Sequence, residues 1–241
     1  MRYYFASDIH LGAGDTATAR AVERRFVEWL DAIEPTAKGV FLLGDVFDFW
    51  FEYRKVVPQG FVRVLGRLAR MTDKGIRVVL ITGNHDMWVG DYLRRECGIE
   101  VYTKPICVEL SSRRLFLAHG DNMNIKRQPM LRLMNWAFRS RVLRFLFSWL
   151  IHPDLAVGFG RWWSGSSRKS HGDERDERYL APLKEFAAND SKRGETDCYI
   201  FGHMHIVSQS EQPQCYFLGD WPYQPNWLEM DETGNITQKT E

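Results

Sequence analysis

Five short apolar runs in this chain each end directly in residues that can bind metal ions. The run 41–43 meets Gly44 and then Asp45. A glycine lets the backbone turn tightly, so a buried strand there would present a carboxylate at the edge of a sheet, where open α/β sheets bind ligands. The other four runs end in the same way, at Asp8 and His10, at Asn84, at His119, and at His203 and His205. The sequence therefore predicts a sheet structure with a metal site at one edge.

Helical segments separate the first three runs. Apolar residues recur at helical spacing from Val22 to Ile33, and Pro35 follows. Asp15 or Thr16 is the expected N-cap of this helix. A second helix is predicted over residues 59–74. Alternation of strands with helices indicates mostly parallel pairing with both sheet faces buried, so we expect an α/β fold.

The second half of the chain contains further strands and one long interruption. A short helix is predicted at about 88–97, and strands are predicted near 99–102, 106–110, 114–118, 197–201, 215–219 and 226–230. The last two strands are suited to antiparallel pairing. Between the strands at 114–118 and 197–201, residues 123–187 have a helical pattern that proline and glycine residues interrupt. We expect a core of residues 1–122 and 188–241 with a helical cap at 123–187.

The strand-end residues form a chemically consistent ligand set. Imidazole, carboxylate and amide oxygen without thiolate favour Mn, Fe or Zn. Seven ligands with one shared carboxylate make two sites of about four ligands each, with the ions about 3.5–4 Å apart. A single histidine beside a strand is more often structural, but five of the seven histidines lie in these clusters; His152 and His171 do not. The predicted ligands are Asp8, His10, Asp45, Asn84, His119, His203 and His205.

The order of these residues resembles a known motif series. Asp8-x-His10, Gly44-Asp45-x-x-Asp48, Gly83-Asn84-His85-Asp86, His119-Gly120-Asp121 and Gly202-His203-x-His205 resemble the motifs of the calcineurin-like metallophosphoesterases. The resemblance implies a βαβαβ sandwich of two mixed sheets flanked by helices. It also implies that one ion is held by Asp8, His10, Asp45 and His205, and the other by Asp45, Asn84, His119 and His203.

Such a centre predicts hydrolysis of a phosphoester or pyrophosphate. Two divalent ions activate a water molecule for in-line attack on phosphorus and neutralise charge on the phosphoryl oxygens. His85 is expected to protonate the leaving oxygen or stabilise the transition state, with Asp86 fixing its tautomer and raising its pKa. Asp48 is expected to support the site, by accepting a ring N–H from a ligating histidine. The candidate catalytic residues are Asn84, His85 and Asp86, and Asn84, His85 and His203 are also expected to contact substrate.

The predicted cap is both basic and apolar. From Lys126 to Ser170 there are nine Lys or Arg residues and one acid, Asp154. Between Arg141 and His152 a narrow polar stripe interrupts an otherwise apolar helix. One interpretation is a helix packed as ordinary core. The other is a lid that lines an acyl-chain chamber or enters the headgroup boundary of a membrane, with its arginines meeting anionic phosphates.

A narrower resemblance favours the lid. Gly44-Asp45-Val46-Phe47-x-x-Trp50, Gly83-Asn84-x-Asp86 and Leu218-Gly219-x-Trp221 resemble the UDP-2,3-diacylglucosamine pyrophosphatases of lipid A biosynthesis. This resemblance implies Mn²⁺-dependent attack on the α-phosphorus of UDP-2,3-diacylglucosamine, releasing UMP and 2,3-diacylglucosamine 1-phosphate at the cytoplasmic face of the inner membrane. That family carries Ser and Lys on a cap helix to hold the sugar and phosphates; here Ser164, Arg168 and His171 are the candidates, with Lys169 and Ser170 as alternatives.

Composition restricts the remaining classes of function. A net charge of +1 argues against a general nucleic-acid binder, and four cysteines without a C-x-x-C pair are expected to be free thiols. Without a charged-then-apolar leader or a spanning apolar run, we expect a cytoplasmic protein, peripheral on the membrane through its cap and with no obligatory protein partner. Two alternatives stay open: a phosphoesterase acting on nucleotides or phosphoproteins, and a non-catalytic scaffold on this fold.

Overall fold

The structure is a computed structural model that describes residues 1–121, 123, 140–156, 158, 160 and 177–241. Its strands are β1 (Arg2–Ala6), β2 (Ala37–Leu42), β3 (Arg77–Ile81), β4 (Glu100–Tyr102), β5 (Ile106–Leu110), β6 (Arg113–Ala118), β7 (Cys198–Phe201), β8 (Ser208–Glu211), β9 (Gln214–Phe217), β10 (Asn226–Met230) and β11 (Ile236–Thr240). Its helices are α1 (Thr16–Ile33), α2 (Val62–Asp73), α3 (Tyr92–Cys97), α4 (Arg141–Leu150) and α5 (Ala181–Ser191), with a 3₁₀ turn at Glu177–Leu180.

The strands form two mixed sheets. The first has the order β11-β10-β1-β2-β3-β4, in which β1 to β4 are parallel and β10 and β11 are antiparallel additions. The second has the order β5-β6-β7-β9-β8, with β6, β7 and β9 parallel and an antiparallel strand at each edge. The strands predicted at 215–219 and 226–230 lie in different sheets, so they do not pair with each other. Each is antiparallel to a different neighbour: β9 to β8, and β10 to β1 and β11.

Helix boundaries follow local capping. The Asp15 side chain accepts a hydrogen bond of 2.7 Å from the Thr18 N–H, so it is the N-cap of α1 as predicted. Helix α2 starts at Val62 rather than 59, because Gly60 and Phe61 have left-handed backbone angles of φ 100° and 61°. Helix α3 is shorter than predicted and begins after residue 91.

Three buried layers hold the two sheets and their helices together. Between the sheets, Phe5, Phe41 and Val79 pack against Leu117 and Ile200. Helices α1 and α2 cover the outer face of the first sheet through side chains such as Phe26, Trp29, Leu30, Val64 and Leu68. Helix α5 covers the second sheet through Leu183 and Ala187, which pack with Tyr199 and Phe201. The fold is therefore α/β, with two mixed sheets flanked by helices as predicted.

The described part of the cap contacts the core through aromatic side chains. Phe147 of α4 lies 5.2 Å from Phe51 and 5.4 Å from Trp88 between ring centroids. The Tyr53 hydroxyl donates a 3.1 Å hydrogen bond to the Ile151 carbonyl. The predicted end of the cap, residue 187, falls inside α5, and the domain division stays a prediction. Among the described residues, no helix has the length and apolar character needed to cross a membrane.

Candidate metal centre

The predicted ligands follow the C-terminal ends of parallel strands in both sheets. Asp8 and His10 follow β1, Asp45 follows β2, Asn84 follows β3, His119 follows β6, and His203 and His205 follow β7. Main-chain hydrogen bonds join these loops where the strands end. The Asp8 N–H donates to the Gly44 carbonyl at 3.1 Å, the His10 N–H to the Asp45 carbonyl at 2.9 Å, and the Gly202 N–H to the His119 carbonyl at 2.9 Å.

Five of the seven predicted ligands have left-handed backbone conformations. Non-glycine residues rarely adopt a positive φ, and the strain is retained where the surrounding structure requires a particular side-chain direction. The loops here bend each ligand out of the strand direction and toward one point. The residues are Asp8 (φ 56°), His10 (48°), Asp45 (50°), His203 (70°) and His205 (54°).

Glycines next to the ligands permit a close approach of the loops. A Cβ atom at Gly83 would lie 2.8 Å from the His119 Nε2, and one at Gly202 would lie 2.7 Å from the Asp8 Oδ2. Both distances are shorter than real Cβ contacts. These glycines therefore leave the space that lets ligands from different strands meet.

The first cluster contains Asp8, His10 and His205. The His205 Nε2 lies 3.3 Å from the Asp8 Oδ1 and 3.2 Å from the His10 Nε2. Asp8 and His10 are almost completely buried, whereas the His205 side chain is 28 % exposed. Asp8 is fixed from behind, because its Oδ2 accepts a 2.9 Å hydrogen bond from the His203 N–H.

The second cluster contains Asp45, Asn84, His119 and His203. The His119 Nε2 lies 3.3 Å from the Asp45 Oδ2 and 3.2 Å from the Asn84 Oδ1. Ring centroids of His119 and His203 are 5.0 Å apart. Donor atoms of Asp45, His119 and His203 all lie within 4.8 Å of one another, and Asp45 groups in the same way with His10 and His85. Asp45 therefore lies between the two clusters.

These distances fit divalent ions. Ligands that each lie about 2.1 Å from one ion are roughly 3.0–3.4 Å from each other in octahedral or tetrahedral geometry. Four ligand pairs in the clusters, at 3.2 to 3.3 Å, fall in that range. The donors are nitrogen and oxygen, as borderline-to-hard divalent ions prefer. The residues present fit two adjacent metal ions with Asp45 between them.

The electrostatics of both clusters also call for positive charge. Burial disfavours the His119 imidazolium, but the Asp45 carboxylate outweighs burial and raises the pKa of His119 well above its usual value. In the same way, Asp220 and Asp8 outweigh burial and raise the pKa of His205 to about 10. Burial lowers the pKa of His10 to about 4 and that of His203 to about 3. The carboxylates thus favour the protonated form of one imidazole in each cluster, at the position where a divalent ion would supply charge instead.

Hydrogen bonds set the orientation of the ligand rings. The His119 Nδ1–H donates to the Leu43 carbonyl at 2.8 Å, which leaves Nε2 to face Asp45 and Asn84. The His10 Nδ1 lies 3.7 Å from the Asp48 Oδ1. This distance is too long for the hydrogen bond in which we expected Asp48 to accept a ring N–H from a ligating histidine. On His205 the partner of Nδ1 is Asp220 Oδ2 at 3.3 Å, a contact that sequence reasoning missed although it had marked the flanking residues Gly219 and Trp221.

His85 lies beside the ligands, but Asp86 is engaged elsewhere. The His85 Nδ1–H donates to the Asp48 carbonyl at 2.9 Å, and its Nε2 lies 3.9 Å from the Asp45 Oδ2. The Asp86 carboxylate accepts from the Gly83 N–H at 2.6 Å and the Val46 N–H at 2.9 Å. The expectation that Asp86 fixes the His85 tautomer is therefore wrong, because the main-chain carbonyl of Asp48 accepts the His85 Nδ1–H instead. Burial, with the nearby Asp45 charge, raises the pKa of Asp86 to about 7.

An apolar cleft opens next to the clusters. It has a volume of about 330 Å³ and lies between the loop that follows Asp48 and the residues Pro153, Asp154 and Gly158. Aromatic and aliphatic side chains dominate its walls, and Asp48 connects it to the ligand loops. Its lining includes Leu11, Phe49, Phe51, Tyr53, Phe61 and Pro153. The predicted substrate residues Ser164, Arg168 and His171, with Lys169 and Ser170, lie outside the described residues.

Comparisons with known proteins agree with the motif order. A family model described as calcineurin-like phosphoesterase matches residues 1–207. The chain is 36 % identical to a protein of Porphyromonas gingivalis named UDP-2,3-diacylglucosamine hydrolase, over 100 % of this chain and 98 % of that protein. It is 28 % identical to a protein of the same name from Haemophilus ducreyi, over 97 % and 98 %. A solved archaeal phosphodiesterase aligns over 100 % of both chains at 14 % identity, with a TM-score of 0.49. The family match spans every predicted metal ligand.

Proposed function

Because this chain belongs to the calcineurin-like phosphoesterase family, we propose that it hydrolyses the pyrophosphate bond of UDP-2,3-diacylglucosamine. The products are UMP and 2,3-diacylglucosamine 1-phosphate, an intermediate of lipid A biosynthesis. The observation that carries this proposal is the pair of ligand clusters meeting at Asp45 in a chain that is similar over its whole length to UDP-2,3-diacylglucosamine hydrolases. The enzyme is a hydrolase in which water attacks the α-phosphorus and the bond to the bridging oxygen breaks.

Two divalent ions, Mn²⁺ by our proposal, complete the centre. Asp8, His10, Asp45 and His205 would hold one ion, and Asp45, Asn84, His119 and His203 would hold the other. When bound, the ions supply activation of the attacking water and neutralise charge on the phosphoryl oxygens. The ring orientations support this division, since the Nε2 atoms of His205 and His119 face different carboxylates, those of Asp8 and Asp45.

His85 acts on the reacting phosphate rather than on the ions. Its Nδ1–H is committed to the Asp48 carbonyl, so Nε2 is the nitrogen that faces the reaction centre. A proton held at Nε2 is placed to neutralise the leaving phosphate oxygen or the developing charge on phosphorus. Asp86 contributes by fixing the loop: it binds the main-chain N–H groups of Gly83 and Val46, next to the ligands Asn84 and Asp45.

The apolar cleft receives an acyl chain. Its walls are mostly hydrocarbon and aromatic, and one end lies at Asp48, beside the ligand loops, as required for a lipid whose phosphates lie at the ions. Pockets for small ligands occupy about 300–1,000 Å³ and are lined mainly by apolar side chains. Ser164, Arg168 and His171 remain our proposal for residues that contact the sugar and phosphates, together with Asn84, His85 and His203.

Helix α4 places the enzyme on the membrane that holds its substrate. Its large apolar side chains are strongly exposed, including Val142 at 66 %, Phe145 at 63 % and Trp149 at 76 %. Exposed apolar side chains in a basic segment suit the interface of an anionic membrane. The chain therefore works as a peripheral protein on the cytoplasmic face of the inner membrane, without an obligatory protein partner.

The direct test is release of UMP by the full chain loaded with Mn²⁺. We expect cleavage of UDP-2,3-diacylglucosamine and much slower cleavage of UDP-N-acetylglucosamine, which has no long acyl chains. Equal cleavage of both would reject the acyl-chain cleft and favour a nucleotide or phosphoprotein phosphoesterase. Absence of both activity and bound Mn²⁺ would favour a scaffold.

The variant Phe147→Ala isolates the contribution of the cap. Removal of the ring that packs on Phe51 and Trp88 should raise KM for the diacylated substrate, because Phe51 lines the cleft and loses this packing partner. Hydrolysis of bis-p-nitrophenyl phosphate, which reaches only the ions, should be unchanged. Val62→Ala is a matched control, since Val62 is 76 % exposed at the start of α2.

A further inference from the structure

Asp220 is a buried carboxylate in contact with one of the ligand histidines. It lies in the loop after β9 and is 8 % exposed. Its Oδ2 lies 3.3 Å from the His205 Nδ1, while the Nε2 of the same ring lies 3.3 Å from the Asp8 Oδ1. The imidazole is therefore held at both ends, by Asp220 outside the cluster and by Asp8 inside it.

The loop that carries Asp220 is rigidly placed against the core. The Gly219 N–H donates to the Asn226 Oδ1 at 2.9 Å, and the Trp221 N–H donates to the carbonyl of Asp8 at 3.1 Å. The Trp221 side chain is 1 % exposed, and its ring nitrogen donates to the Asn226 carbonyl at 2.7 Å. Asp220 thus lies between two residues whose main chain is fixed, and its carboxylate has a fixed position relative to Asp8.

His205 has greater need of an external support than His10 and His119. Its side chain is 28 % exposed, whereas those of His10 and His119 are 1 % exposed. It also lies in a loop, with a left-handed φ of 54°. Surrounding side chains fix the ring of a buried histidine, but packing fixes the His205 ring less well. The contact with Asp220 supplies that restraint.

The chemistry of Asp220 indicates more than a brace for the loop. Its Oδ1 is buried and makes no hydrogen bond to any described residue. Burying a carboxylate with one oxygen unpaired costs free energy that a purely structural residue would avoid. Carboxylates in this position beside a ligating histidine orient the ring, fix its tautomer and strengthen it as a metal ligand.

We propose that Asp220 is a positioning residue that holds His205 with Nε2 toward Asp8 and His10, and thereby sets the affinity of that ion site alone. The inference rests on the two-ion centre of the proposed function. In the second ion site a different group orients the His119 ring, namely the Leu43 carbonyl.

Titration of the metal-free full chain with Mn²⁺ by calorimetry tests the proposal. The wild type should bind two ions. Asp220→Ala should weaken one of them by about 10–100-fold and leave the other unchanged. Asp220→Asn keeps an oxygen to accept the ring N–H but loses the charge. Its affinity for the ion at this site should therefore lie between those of the wild type and Asp220→Ala. At limiting Mn²⁺, anomalous diffraction of Asp220→Ala should show a peak at the second ion site and none beside Asp8, His10 and His205.

Tyr223→Ala is the matched control, because Tyr223 lies in the same loop and is 76 % exposed. It should bind both ions as the wild type does. Unchanged affinity in Asp220→Ala, or equal weakening of both ions, would overturn the proposal. If Asp220→Ala fails to fold, Asp220→Asn decides: selective weakening supports the role and wild-type affinity rejects it. A wild type that binds no Mn²⁺ would instead reject the two-ion centre itself.

Discussion

Substitution of Gly83 by alanine should disrupt the two-ion centre without unfolding the protein. Gly83 does not have a positive φ, so alanine brings no backbone strain. Its new Cβ would clash most severely with the Asp45 Oδ1, and would lie 2.7 Å from the Asp45 main-chain nitrogen and 2.8 Å from the His119 Nε2. Both neighbours belong to the proposed site, so relief of the clash must displace a ligand.

The size of the effect follows from these distances. Ordinary contacts of a Cβ start at 3.4 Å, so the His119 nitrogen must move by about 0.6 Å. Metal–ligand distances tolerate only about 0.2 Å. Misplacement on the scale of 1 Å costs roughly 10²-fold in rate, which corresponds to about 2.7 kcal/mol of transition-state stabilisation.

Metal content and kinetics measure the outcome together. Gly83→Ala should contain fewer than two Mn²⁺ per chain and show kcat/KM about 10²-fold lower, with a near wild-type urea midpoint. Gly66→Ala is the control, because Gly66 lies within α2 with nothing within 4 Å of the added carbon. It should gain about 0.5–1 kcal/mol of stability and keep full activity. Two tightly bound ions and unchanged kcat/KM in Gly83→Ala would refute the assignment of this cluster.

Three further outcomes are expected. His85→Gln should lower kcat by about 10²–10⁴-fold while atomic absorption still finds two Mn²⁺ per chain; loss of an ion would make His85 a ligand. At pH 7, Mn²⁺ binding should release about two protons, since the raised pKa values of His119 and His205 keep both rings charged until an ion binds. Calorimetry in buffers of different ionisation enthalpy measures the number of protons released. Release of no protons would contradict this prediction. Asp86→Asn should lower the free energy of unfolding by about 1–3 kcal/mol, because one of two buried N–H groups loses its acceptor; an unchanged urea midpoint would contradict that.

The ligand set was predictable because strand patterns and chemistry coincide in the sequence. Each apolar run has to be buried, and each is followed at once by a polar residue. Parallel pairing therefore brings Asp8, Asp45 and Asn84 to one edge of the first sheet, and His119 and His203 to one edge of the second. The left-handed conformations of Asp8 and His203 were not predicted, since only the structure shows how sharply the loops turn.

Features that depend on contacts between distant segments could not be predicted from the sequence. Strands β8 and β11 are mostly polar and lie at sheet edges, so no apolar pattern indicates them. Asp220 meets His205 only because β9 is a neighbour of β7. Asp86 followed the motif, yet its partners are the amides of Gly83 and Val46, and the latter follows another strand.

Crystals of the Mn²⁺-loaded chain, measured at the manganese absorption edge, test the two-ion centre most directly. We expect two anomalous peaks about 3.5–4 Å apart, with Asp45 in contact with both ions. Asp8, His10 and His205 should surround one peak, and Asn84, His119 and His203 the other. A single peak, or two peaks that do not share Asp45, would contradict the proposed centre and with it the proposed hydrolysis.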